Sequence, residues 1–116
     1  MKGFDPATGL GFVQNGRYVE IVLPYDRASG EGVLVGTLFG VCVKGGKLGE
    51  ADNIDTDGVY GLVAATGAST DAVFGVAAYW DNTAKKVTPV ATNNTLIGKF
   101  LAAKTTTQAF ATVRLS

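Results

Sequence analysis

The chain has no histidine and only one cysteine among its 116 residues. Without histidine there is no imidazole base, no Ser-His-Asp triad of the ordinary kind and no usual zinc site. A single cysteine excludes an internal disulfide, a CxxC redox pair, a zinc ribbon and cysteine-held iron–sulfur clusters. Charge is scarce as well, at 17% of residues, and it balances, with ten Lys and Arg against ten Asp and Glu. That leaves no electrostatic case for nucleic acid or an anionic membrane as a partner. The longest apolar run, Ala72 to Trp80, is far too short to span a bilayer. The opening Met1-Lys2-Gly3-Phe4-Asp5-Pro6 lacks the continuous apolar segment of a secretion signal. The expectation is one soluble domain that stays in the compartment where it is made.

What is present is apolar and β-branched. Hydrophobic residues make up 47% of the chain, a composition that packs a core and also buries surface against neighbours. The stretch Gly30 to Val43 reads as a strand at Val33 to Val35, a tight reversal at Gly36 and Thr37, and a strand from Leu38 to Lys44. Because both runs are apolar almost throughout, at least one is expected to be buried on both faces or to lie in a subunit contact. Cys42, between Val41 and Val43, reads as a small buried hydrophobe. A phosphate-cradling loop needs a lysine followed by Ser or Thr after its second glycine. Here Gly36 leads into Thr37 and Leu38, and Gly98-Lys99 runs into Phe100.

Elsewhere the pattern repeats. Arg17 to Leu23 alternates, with Val19, Ile21 and Leu23 on one side, as a half-buried strand does. Strands are also expected at Val59 to Ala65, Ala72 to Trp80, Val87 to Ala91, Leu96 to Ala102 and Gln108 to Leu115. Pro89 marks an edge or an end, since it cannot donate to a ladder. Gly45 to Gly49 reads as a mobile loop, and Met1 to Gly11 as a flexible amino-terminal arm. The arm, with Phe4, Leu10 and Phe12 in or beside it, either tucks onto its own domain or adds to a partner's sheet edge or groove. The whole is an all-β fold, a small single-domain barrel or sandwich of about eight short strands on residues 12–116.

Two clusters invite a chemical reading. The run from Glu50 to Gly58 is dense in carboxylates, but counting a calcium loop from Asn53 through Asp55, Asp57 and Gly58 puts Ala64 where the bidentate glutamate belongs. It reads as a solvated turn before a strand, and no metal is expected. Tyr79-Trp80, beside a polar turn, is either a platform for stacking a sugar or a ring set into the core with one wet face.

Several runs taken together carry a resemblance. They are Ser29-Gly30-Glu31-Gly32-Val33-Leu34-Val35-Gly36-Thr37-Leu38-Phe39-Gly40-Val41, Asp57-Gly58-Val59-Tyr60, Tyr79-Trp80-Asp81-Asn82 with Lys86-Val87-Thr88, and the closing Ala111-Thr112-Val113-Arg114-Leu115. From about Phe12 onward the chain resembles the DUF2190 family of tailed-phage and prophage proteins, small capsid decoration or cement proteins. It departs from the family's commonest pattern in its Met1 to Gly11 segment. The resemblance implies an all-β subunit on the outside of an expanded capsid, as a homotrimer at three-fold positions, stabilising the shell. The implied partners are the major capsid protein and further copies of the chain. Neither nucleic acid nor membrane is touched directly, and neither cofactor nor catalysis is involved. The implied location is the virion exterior, after assembly in the host cytoplasm. Phe4, Leu10, Phe12 and Val13 are the expected capsid contacts, and Leu38 and Phe39 the expected subunit contact. The competing reading is a carbohydrate-binding module on the phage surface, built on Tyr79 and Trp80.

Overall fold

The computed structural model describes residues 17–116. The expected arm and its candidates Phe4, Leu10, Phe12 and Val13 lie outside the described residues. Within them the fold is all-β. The strands are β1 (Tyr18–Val22), β2 (Arg27–Ala28), β3 (Gly32–Val35), β4 (Leu38–Cys42), β5 (Gly45–Gly46), β6 (Ala51–Asp55), β7 (Gly58–Val63), β8 (Ala77–Asp81), β9 (Lys86–Thr88), β10 (Thr95–Phe100) and β11 (Phe110–Leu115).

The strands form two main sheets. The first has the order β1-β6-β4-β3, the second the order β7-β11-β10-β8-β9, and β2 pairs with β5 alone. The second sheet curls until its far strand returns to its first. Ala64, just past β7, bridges Val87 of β9, and the Ala65 N–H donates to the Val87 carbonyl at 2.8 Å.

Alternation decides which side chains go inward. In β11, Ala111, Val113 and Leu115 are buried while Thr112 and Arg114 are exposed, the period-2 pattern that a pleated strand imposes. The same rule splits the first sheet between two cores. Phe39 and Val41 of β4 join Leu62, Trp80, Val87, Ile97, Phe100 and Val113 of the second sheet. On the opposite face Val33, Cys42 and Ile54 pack with Ile21 and Leu23. The first sheet is therefore buried on both sides at its centre, which is why its strands read as continuous apolar runs.

The β3–β4 hairpin pairs Leu34 with Phe39 and Val35 with Leu38 across a two-residue turn. Gly36 takes φ +63° and Thr37 does not share the positive sign, the pattern of a type II′ turn, which asks for glycine first.

Three expectations are corrected. Gly45 and Gly46 are not a mobile loop but the strand β5, paired with Arg27 and Ala28. Asp52 secures this pairing by accepting the Gly45 N–H at 2.8 Å, and a side chain on Gly45 would meet the Arg27 carbonyl at 2.8 Å. The carboxylate-rich run is not a solvated turn, because Ala51–Asp55 is β6, a central strand with Asp52 and Asp55 buried. The expected Ala72 to Trp80 strand begins only at Ala77, since Phe74 and Gly75 form a turn that leaves Phe74 70% exposed.

Candidate functional site

The two sheets are tied together by a buried carboxylate. Asp55 closes β6 and is 1% exposed. It accepts from Arg17 Nε at 3.0 Å and Nη2 at 3.1 Å, from the Asp57 N–H at 3.1 Å, and from the Tyr60 hydroxyl on β7. Burial alone pushes its carboxyl up, but the hydrogen bonds from Arg17, Tyr60 and Asp57 outweigh it and hold the group below the usual carboxylate range. The Tyr60 phenol is correspondingly raised, first by its bond to Asp55 and then by burial. Donors surround this carboxylate on every side, so it has no lone pair left for substrate or metal. Among the described residues no group of three or more His, Cys, Asp or Glu is placed to hold a metal ion.

Trp80 is a structural residue. It is 2% exposed, its ring lies 4.9 Å from that of Phe39 at 51°, and its Nε1–H donates to Asn82 Oδ1 at 3.1 Å. The Tyr25 hydroxyl donates to the same Asn82 oxygen at 3.0 Å, and Lys85 Nζ stands 4.3 Å from the centre of the Tyr25 ring. Asp81 Oδ1 takes the N–H groups of Thr83 and Ala84 and shapes the turn into β9. The Tyr79-Trp80-Asp81-Asn82 run thus builds a hairpin and its tether. A sugar cannot stack on Trp80, and the carbohydrate reading, built on Tyr79 and Trp80, keeps only the half-buried ring of Tyr79.

The subunit-contact candidates divide. Leu38 is 41% exposed at the hairpin tip, whereas Phe39 is 8% exposed and committed to the core beneath it. Cys42 is buried as expected. Burial, reinforced by Asp52, pushes its thiol up to about 11, the opposite of a reactive cysteine.

Three exposed apolar residues stand together on the outside of the second sheet, where the sequence reading placed no site. Val63 of β7 faces Phe110 of β11 across the ladder, with Val59 four residues back on the same face and opposite Arg114. All three are exposed, Phe110 to 69%. Gly61 lies between the two valines, and a side chain there would meet nothing within 4 Å. At the Val63 end a pocket of about 190 Å³ opens between β7 and the Gly30–Gly32 segment, with Lys85 and Phe110 on its wall. The signal in the sequence was the charge-free Val-x-Gly-x-Val of β7, which reads as a strand but does not say which face stays bare.

The outer face of the second sheet thus sets apolar Val59, Val63 and Phe110 beside two exposed cations, Arg114 opposite Val59 and Lys99 opposite Arg114. The profile of the phage cement proteins matches residues 13–115. The chain belongs to that family. No curated protein and no solved structure matches it. Membership associates the chain with a phage capsid, and the family's all-β expectation agrees with the two sheets described above.

Proposed function

We propose that this protein decorates the outer surface of an expanded phage capsid, seated as a homotrimer at three-fold positions, and that it stabilises the shell. The observation that carries this reading is the cement-family match over residues 13–115. The apolar outer face around Val59, Val63 and Phe110 supports it, as does the zero net charge. Identical neighbours on a shell repel little when uncharged, and many weak apolar contacts repeated by symmetry add up to tight attachment. The role needs no cofactor and no catalysis, and it involves no direct contact with nucleic acid or membrane.

In this reading the major capsid protein is gripped by Phe4, Leu10, Phe12 and Val13. Leu38 makes the contact between subunits, with Phe39 holding the hairpin rigid from below. The test is to add purified protein to undecorated expanded capsids. Saturable binding and a higher disruption temperature are expected, and the absence of both removes the proposal.

A further inference from the structure

The net charge is zero, but its two signs are segregated. Residues 17–57, which build the first sheet, hold seven acidic and four basic residues, whereas residues 58–116, which build the second, hold five basic and two acidic ones. One half of the molecule therefore carries a formal charge of −3 and the other +3.

On the outside of the second sheet the positive charge is drawn into a row. Val59, Arg114, Lys99 and Ala77 stand side by side across β7, β11, β10 and β8. Arg114 and Lys99 are both exposed and directly opposite each other, and like charges so placed destabilise a sheet. Among the described residues neither has an ion pair. The two acids of this half are elsewhere, since Asp81 accepts the N–H groups of the turn before β9 and Asp71 lies between β7 and β8. Val63 and Phe110 lie further along the same face.

The first sheet offers the opposite sign. Alternation puts Tyr18, Glu20 and Val22 on one face of β1, with Glu20 opposite Asn53 and Val22 opposite Ala51. All three are exposed, as is Val43, whose N–H donates to the Asn53 carbonyl at 3.0 Å. The other acids of this half are engaged. Asp55 is held by Arg17, Glu31 faces Arg27, and Asp26, Glu50, Asp52 and Asp57 accept backbone N–H groups. Arg17 lies over the Tyr18 ring, but its guanidinium already answers Asp55. Glu20 has no partner among the described residues.

We infer that these two faces meet between copies, with the Arg114–Lys99 row of one copy set on Glu20 of the next and the apolar side chains beside each closing around the charges. The occupant is a second copy because each face carries the sign the other lacks, and the chain as a whole supplies the two in equal number. Such complementarity fixes register and partner choice at a contact. Unlike faces join head to tail, and contacts of that type close into rings. The inference rests on the proposed homotrimer and names the faces that hold it together.

The contact is tested without capsids, by sedimentation of the full chain over a range of concentrations. Association is expected, and raising salt from about 0.05 to about 0.5 M weakens it, because exposed charges are screened. Glu20→Lys weakens it at least about tenfold, as does Lys99→Glu combined with Arg114→Glu, the scale of a close charge pair at a protein contact. Lys99→Gln with Arg114→Gln serves should the acidic pair fail to fold. The chain with all three charge reversals regains association, because the contact returns with its signs exchanged. Association that ignores salt and these substitutions overturns the inference, and so does a triple variant that stays apart. A chain that is monomeric at every concentration also overturns it and leaves decoration to the capsid-binding test, where loss of binding by the Lys99→Glu, Arg114→Glu chain assigns the row to an acidic capsid surface.

Discussion

The Tyr60 hydroxyl of the second sheet donates to the Asp55 carboxylate of the first, and the same carboxylate receives two donors from Arg17. Asp55→Ala removes the acceptor of a half-buried phenol and of two guanidinium hydrogen bonds. A loss of about 2–3 kcal/mol in unfolding free energy is expected for charged hydrogen bonds of this kind, read by urea or thermal melts.

The same group makes stability depend on pH at both ends. The Asp55 carboxyl sits below its ordinary value of 3.8, so its contribution is present above that pH and is lost as pH falls through the lower folded value. Tyr60 is raised above its ordinary 10.0, so its contribution is present below pH 10 and is lost as pH rises through the higher folded value. Melts across pH are expected to show both falls. Tyr60→Phe flattens the alkaline fall, and Asp55→Asn flattens the acid one; an unchanged profile in both variants contradicts the assignment.

Adjacent residues in β4 separate stability from contact. Phe39 is packed on Trp80 in the core while Leu38 faces out. Phe39→Ala is expected to cost about 3–5 kcal/mol, as ring deletions in cores do. Leu38→Ala costs under about 0.5 kcal/mol, the usual range at a surface. If Leu38 meets a neighbouring subunit, its alanine variant weakens self-association while melting normally.

How much of this was legible depended on where the information lay. The tight reversal at Gly36 and Thr37 and the alternation of β11 are local, and spacing alone located them, whereas the expected Val87 to Ala91 strand stops at Thr88, just before Pro89. The fate of Asp55 was not local, since its donor Arg17 is 38 positions away in sequence and Tyr60 reaches it only after the chain changes sheets. A polar run became a central strand because distant donors met its carboxylates, which no count of Asp and Asn reveals. Trp80 was left between two readings for a related reason: its polar partner Asn82 lies two residues on, yet Phe39 from the other sheet decides that the ring is buried.

Three glycines rank the tightness of the backbone. A side chain on Gly98 would sit 1.8 Å from the Arg114 carbonyl, in the irregular stretch where β10 shifts register against β8. One on Gly40 would lie 2.7 Å from Ile54 Cδ1, and one on Gly61 would meet nothing within 4 Å. Gly98→Ala is expected to abolish folding, because backbone must move. Gly40→Ala costs about 1–3 kcal/mol by overpacking a side chain that can partly yield. Gly61→Ala is neutral or stabilising by a few tenths of a kcal/mol, through reduced freedom of the unfolded chain. Melting temperatures in any other order refute the packing described for these strands.

Attachment and folding are expected to separate at residue 11. Among the described residues, both cores, the Asp55 tie and the Trp80 tether are built from residues 17–116, and removing residues 1–11 leaves these groups in place. The melting temperature is therefore expected to hold within the error of the measurement. Capsid occupancy at limiting protein falls, because Phe4 and Leu10 go with the deleted segment and Phe12 and Val13 lose the chain that precedes them. Loss of occupancy together with the melt means the segment belongs to the fold. Equal occupancy of the two chains moves the grip to the face around Val63 and Phe110, where Phe110→Ser then becomes the variant that releases it.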